Sequence, residues 1–410
     1  MIEAPMISLP LNPIVSCVLT TTFALSTFAG LLTATGALAA DELSSWETAY
    51  PNEERDAKTQ AAELVSQIQN DYINKDKRAF RDAHPRGIGC VNARFTIDPN
   101  LPSQYRIGVF ATPGKSYESL IRFSSATGPA GDNAKDARGM AVKLFGVPGK
   151  KLAVDQPDAT THDFVMFNAV FPARNANEFA GLVHIKTDPG SSGKFLLGNP
   201  ILRARELKAL WNMTGGNPYN GSSLTEMSFS SAVPYLLKGP SFESPVKFSA
   251  RPCATPAKLP LDGGESELRN DLQARLNKGE VCYEFAMQFY RENAGLEIED
   301  AMNEWTVAKT PFVKFATITI PTQTFLTDEK LRYCDNLSMS PFHAIAEHRP
   351  IGNVNRSRKI IYEILSDFRH KQNGENQSRG EPKTIDTWKG FKSTAYATWD
   401  AVLVPAPNGR

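Results

Sequence analysis

Apolar residues recur every three to four positions across residues 53–72 (EERDAKTQAAELVSQIQNDY). Ala61, Leu64, Val65, Ile68 and Tyr72 share one stripe, and acidic residues fill the first turn. That spacing predicts an amphipathic helix. The pattern then shortens. Runs at 106–110, 119–124, 139–145 and 164–168 predict strands, and 175–186 predicts a second helix. From about 186 to 265, Gly, Pro and Ser interrupt every apolar run, which predicts loops with short elements. A helix follows at 265–277. Period-two alternation marks strands in CYEFAMQFY (282–290) and KFATITIPTQTF (314–325). The last strong element is a helix over 355–371, and the residues beyond it are polar and punctuated by Gly and Pro. Strands dominate the middle and helices flank them, so the expected class is α+β around one sheet or barrel.

The N-terminal stretch has its own pattern. Residues 4–40 carry no charged side chain, and the apolar run closes on Ala37-Leu38-Ala39 before a polar start. Small residues two apart at that position predict a signal peptide over 1–39, with an uncleaved membrane anchor as the rival reading. The expected plan is therefore export, to a periplasmic location, of a single domain over 40–410. Cleavage leaves Cys90, Cys253, Cys282 and Cys334 in a compartment that permits disulfides. Four cysteines allow three pairings, and sequence leaves all three open.

Composition changes the picture little. Forty-five Lys and Arg against 44 Asp and Glu give a net charge of +1, so bulk charge argues for neither a nucleic-acid partner nor an anionic membrane surface. At 41% hydrophobic and 22% charged, the chain has ordinary globular usage. The 23 Phe suggest a large β-rich core or a flat aromatic-lined pocket.

Three clusters could carry chemistry. In NRSRKIIYEILSDFR, Arg358, Tyr362, Leu365 and Arg369 are spaced 4, 3 and 4, which puts them on one helical stripe. Arg358 lies one turn before Tyr362, within reach of its phenol oxygen. A fixed positive charge there favours the phenolate, a hard anionic ligand suited to Fe(III). In Arg81-Asp82-Ala83-His84-Pro85-Arg86-Gly87, a histidine held between turn residues can shuttle protons. In Leu120-Ile121-Arg122-Phe123-Ser124, alternation puts Arg122 and Ser124 on one face and Phe123 on the other. Taken singly, each also reads as an ordinary amphipathic helix, a surface loop and a barrel-rim strand. The six histidines show no HExxH spacing, and the chain has no GxSxG, Walker loop or GxGxxG after a strand. His343 and His348 in PFHAIAEHRPIG read as loop-positioning residues, with no carboxylate or cysteine at metal spacing.

Together the clusters resemble the haem catalases, and most of all the smaller catalase-related peroxidases. RDAHPRGIG resembles the family's distal loop. IRFSSATG followed by DARGMAVKLF resembles the next paired strands, and FVMFNAVFPARN resembles its aromatic-rich strand. RKIIYEILSDFR resembles the proximal helix, and the resemblance spans residues 50 to 373. It implies a catalase-like antiparallel β-barrel with flanking helices and long loops, binding haem b. It implies that Tyr362 is the iron ligand, held as phenolate by Arg358. His84 becomes the acid–base residue with Ser124 on its other nitrogen. Arg81, Arg122 and Arg369 meet the two propionates, and Phe171 is a channel aromatic. The implied partners are peroxide and a small reductant, with the chain a monomer or small homo-oligomer. A membrane enters only if residues 1–39 are retained. In large catalases a distal Asn orients peroxide, whereas Asp158-Ala159-Thr160-Thr161-His162-Asp163 has none. That departure implies peroxidase turnover with weak catalase activity and a role against oxidative stress. The alternatives are a catalase-like lipid-hydroperoxide isomerase or dehydratase, and a non-enzymatic haem binder.

Overall fold

Eight antiparallel strands close into a barrel. In the computed structural model, which describes residues 43–74, 78–126, 131–187, 200–254, 260–374 and 381–389, they follow the order β5-β4-β3-β2-β1-β9-β8-β7, and β5 returns to pair with β7. The strands are β1 (Gly87–Ile97), β2 (Ser116–Ser125), β3 (Arg138–Phe145), β4 (Thr161–Phe167), β5 (Phe229–Ser230), β6 (Tyr235–Gly239), β7 (Phe242–Pro252), β8 (Val281–Phe289) and β9 (Val313–Ile320). β6 adds to the outside edge of β7. The helices are α1 (Glu53–Ile68), α2 (Ala176–Thr187), α3 (Pro200–Met213), α4 (Glu267–Lys278), α5 (Asp328–Asn336) and α6 (Asn353–Gln372). The chain has the expected α+β class. Residues 1–42, including the expected signal segment, lie outside the described residues. Among the described residues, no helix is long and apolar enough to cross a membrane.

The phenylalanines fill the barrel. Phe95, Phe164, Phe248 and Phe285, from four different strands, are fully buried, and their ring centroids lie 4.8–5.7 Å apart in successive contacts. Stacked and tilted ring packing of this kind stabilises beyond the area it buries. A filled lumen leaves no room for a ligand inside, so the chemistry must sit on the outer wall. Strand β2 shows how: Ile121 and Phe123 join the lumen core, while Arg122 and Ser124 point outward.

Several expectations need correction. Residues 106–110 are not a strand: two short 3-10 turns, Ser103–Tyr105 and Gly108–Phe110, occupy the segment. Gly108 has φ of +54°, left-handed backbone that breaks extension. The stretch expected as loops instead holds α3, β5, β6 and the 11-residue β7. Its Gly and Pro mark a tight hairpin, with Gly239 paired to Phe242, rather than an absence of strands. The helix at 53–72 is α-helical only to Ile68 and ends in a π-turn over Gln69–Ile73. Two disulfides, Cys90–Cys334 and Cys253–Cys282, settle the pairing left open. The first ties β1 to α5.

Candidate active site

One cavity of about 560 Å³ lies on the outer wall of β2–β4, under α1, α2, α3 and α6. That volume is ordinary for a small-molecule site. It brings together all eight residues expected from sequence: Arg81, His84, Arg122, Ser124, Phe171, Arg358, Tyr362 and Arg369 each line it.

His84 is held by its backbone as firmly as by its ring. Its φ is +59°, left-handed in a residue followed by proline, where helical conformations are disfavoured. Such strain persists only where the surroundings enforce it. Here the His84 N–H donates to the Ala126 carbonyl (3.0 Å), and its carbonyl accepts from Arg122 Nη2 (3.0 Å). The imidazole Nδ1 lies 3.0 Å from Ser124 Oγ. A Cβ on Gly139 would stand 2.6 Å from the ring, so that strand position must be glycine for the imidazole to lie flat on β3. Burial drives the His84 pKa down to about 3, and the charges of Arg122, Arg358 and Arg81 push the same way. The ring is therefore neutral across the physiological range.

On α6, Arg358 Nη2 donates to the Tyr362 phenol oxygen (3.0 Å), as the i,i+4 spacing predicted. Its Nη1 donates to Asn355 Oδ1 (2.9 Å). Burial opposes the Arg358 charge, but the Tyr362 and Tyr235 phenols outweigh it and raise its pKa. Around Tyr362 the helix presents Ile361 and Leu365 to the cavity, half-buried. Phe171 lines another wall and packs on Phe179 at 4.9 Å.

Sequence reasoning missed the residue that organises the arginines. Asp335, buried at the end of α5, accepts from Arg78 (3.0 Å), Arg81 (3.2 Å) and Arg122 (3.4 Å). Its backbone carbonyl accepts from Arg81 (2.6 Å) and Arg369 (3.2 Å). Burial would raise its pKa, yet the four guanidiniums lower it. The only sequence signal was Asp335 adjoining a disulfide cysteine, Cys334.

A second charged group also reaches the cavity and corrects the view of His343 as a loop spacer without carboxylates. His343 Nδ1 lies 2.9 Å from Asp163 and 3.2 Å from Glu381. Those three side chains have metal-ligand spacing. However, the Lys143 ammonium sits among them, 2.7 Å from Asp163 and bonded to Glu381, and supplies the cation itself. His348 does position a loop, accepting from the Val109 N–H (2.9 Å). Thr161 donates to Glu381, and Thr160 is exposed, so neither lines the cavity. On β4 the lining residues are Val165, Met166 and Phe167.

The chain is similar to catalases in part of its sequence and in its fold. Residues 51–194 match the catalase family model. A bromoperoxidase-catalase of Streptomyces venezuelae is 24% identical over 40% of this chain and 30% of its own length. Catalase C of Rhizobium meliloti is 30% identical over 29% of this chain and 16% of its own length. The matched segments thus span less than a third of these relatives. A fungal catalase superposes with a TM-score of 0.58 at 18% identity, covering 77% of this chain and 63% of that one. Catalase A of Saccharomyces cerevisiae gives 0.58 at 15% identity, covering 78% and 67%. Over residues 51–194 the chain is thus similar in sequence to the catalase family, and its barrel has the fold of the solved catalases.

The residues present fit a haem. A half-buried apolar helix face carries a phenol whose oxygen is already hydrogen-bonded to arginine. Beside it, one carboxylate stands among four guanidiniums, so two further carboxylates would find cations there.

Proposed function

We propose that this protein is a haem-dependent hydroperoxidase, reducing hydrogen peroxide or organic hydroperoxides at the expense of a small donor and protecting against oxidative stress. The observation that carries the reading is the meeting, in one cavity, of a neutral His84 and the Arg358–Tyr362 pair. Tyr362 would hold the iron of haem b, and Arg81, Arg122 and Arg369 its carboxylates. Bound there, the haem supplies the electrons and the metal for breaking the O–O bond.

The chain's own part is proton handling and orientation. With the His84 proton on Nδ1, that N–H donates to Ser124 Oγ and leaves Nε2 free to accept. Nε2 then takes the proton from one peroxide oxygen and returns it to the departing one. A pKa of about 3 keeps that nitrogen unprotonated before peroxide arrives. Arg358 keeps its hydrogen bond on the Tyr362 oxygen and so orients the phenol. Arg122 fixes the loop that carries His84.

We infer a preference for peroxidase over catalase turnover. A second peroxide must be oriented by hydrogen bonds, and β4 offers Val165, Met166 and Phe167 at the cavity. Losing one such bond typically costs about 10²–10³ in rate. A paired assay tests this, with an oxygen electrode and a chromogenic donor, on hydrogen peroxide and an alkyl hydroperoxide. Donor oxidation should exceed oxygen release, whereas vigorous oxygen release with negligible donor oxidation overturns the preference.

A second reading is favoured by the apolar walls at Phe171, Phe179, Leu210 and Met213. These suit a lipid hydroperoxide that is isomerised or dehydrated, and turnover without any donor distinguishes that chemistry. We also propose export with removal of residues 1–39, supported by two disulfides that an oxidising compartment would sustain. N-terminal sequencing of the mature chain tests it.

A further inference from the structure

The Cys90–Cys334 disulfide adjoins the arginine cluster on both of its sides. Cys90 on β1 is the cross-strand partner of Arg122 on β2, and residues so paired project to the same face of a sheet. The bridge therefore holds Cys334 against the outer wall beside Arg122. Directly after it, Asp335 to Leu337 form a run of acceptors. The Asp335 carboxylate pairs with Arg81 (3.2 Å) and Arg122 (3.4 Å). The carbonyls of Asp335, Asn336 and Leu337 accept from Arg81 and Arg369. Those three arginines come from a loop, a strand and α6, yet all close on this one segment. The bridge joins positions 244 apart, and Asp335 meets Arg122 across 213. Bringing such distant positions together has a chain-entropy cost that a cross-link removes beforehand. The second bridge gives the contrast: Cys253–Cys282 closes the end of the adjacent β7–β8 pair, and neither cysteine lines the cavity. Cys90 and Cys334 are 1% and 3% exposed. Thiol–disulfide exchange needs access to sulfur, so exchange at this bond requires α5 to part from β1.

We propose that the Cys90–Cys334 pair positions the cofactor-binding arginines, so that the haem site is complete only in the oxidised chain, and that bound haem in turn protects the bond from reduction. The haem arm rests on the hydroperoxidase reading, while the positioning of α5 stands without it. The redox step is an exchange: the Cys90 and Cys334 thiols are oxidised to the disulfide, and a disulfide oxidant takes up the two electrons and two protons as a pair of thiols. Coupling between two sites is reciprocal. Whatever factor oxidation adds to haem affinity, haem adds to the resistance of the bond.

The test compares Cys90→Ala/Cys334→Ala and Cys253→Ala/Cys282→Ala with the parent chain, well below their melting temperatures. Haem titration should show the first variant weakened about 5–150-fold, the usual range of such coupling, and the second binding as the parent does. In the Cys253→Ala/Cys282→Ala chain one bridge remains to titrate against a glutathione redox buffer. Haem should lower its midpoint potential, by about 30 mV for a tenfold coupling. If Cys90→Ala/Cys334→Ala does not fold, this midpoint decides on the intact bridge. Hydrogen exchange without haem reads the positioning alone: amides of α5 and Leu337 should exchange faster in Cys90→Ala/Cys334→Ala, and those of β7 and β8 should not. Equal haem affinity with a haem-independent midpoint overturns the coupling and leaves the bridge a staple of the fold. Unchanged exchange at α5 overturns the positioning. A parent chain that takes up no haem, with faster exchange at α5 in the variant, upholds the positioning and overturns the hydroperoxidase reading instead.

Discussion

Two histidines line the same cavity and are shifted in opposite directions. His84 sits among Arg81, Arg122 and Arg358, and burial with that field drives its pKa down to about 3. His343 is equally enclosed, and burial alone would also lower it, yet Glu381 and Asp163 raise it. One wall of the site is cationic and keeps its imidazole a free base. The other is anionic and raises the pKa of its imidazole, which is bound into a network with Lys143. Burial is common to both, so the sign of the neighbouring charge decides the chemistry. His84, with its lowered pKa, is the ring proposed above as the proton acceptor, and His343 is held in the Asp163–Glu381–Lys143 network.

The largest expected effect comes from removing the free base. His84→Ala should keep its cofactor and slow the reaction with peroxide by about 10²–10⁴. Stopped-flow mixing measures it, and parent-like rates would break the distinction between the two rings. His343→Gln should leave that rate within a few fold.

The next tests the source of the cationic field. Asp335→Ala leaves four guanidiniums, three of them buried, without their shared carboxylate. Removing one partner of a buried ion pair typically costs about 3–5 kcal/mol, so the melting temperature should fall sharply and added haem should restore part of it. A variant as stable as the parent would show that Asp335 does not organise the cluster.

A smaller effect follows from Gly139→Ala, whose new methyl would meet the His84 ring. Overpacking of this kind costs about 1–3 kcal/mol. The peroxide step should slow more than the stability loss alone explains, and an unaffected rate would mean that the ring has room to move.

The smallest effect is in pH dependence. A group lowered in the folded state contributes stability above its unfolded pKa of about 6.5 and loses it as pH falls toward the folded value. His84 and His348, both near 3, and His370, near 4, therefore make the melting temperature drop between about pH 6.5 and 3. His343 has the opposite sign: its contribution is complete below the unfolded value and fades as pH rises through its raised pKa. Glu381→Gln should flatten that alkaline loss and leave the acid limb unchanged.

How much of this was legible in the sequence depends on the range of each contact. The Arg358–Tyr362 pair is local, set by helical spacing, and was readable. So was the outward face of Arg122 and Ser124, set by strand alternation. Asp335 and Glu381 were not, because Asp335 meets Arg81 across 254 positions and Glu381 meets Lys143 across 238, and no local period encodes such pairs. Strands β6 and β7 were hidden for a different reason. Pro245 and Gly239 look like breakers, but the hairpin uses them at its edge and turn. The closed barrel itself rests on the two-residue β5, far too short to announce a strand.

The most direct measurement is haem titration of the Tyr362→Phe variant beside the parent chain, followed by absorption spectroscopy. The account predicts that the parent takes one ferric haem per chain with a phenolate-type spectrum. The variant should lose most of the haem, or bind it with a non-phenolate spectrum, while its melting temperature without haem stays near the parent's. Equal haem content with an unchanged spectrum would contradict the central claim that Tyr362 holds the iron.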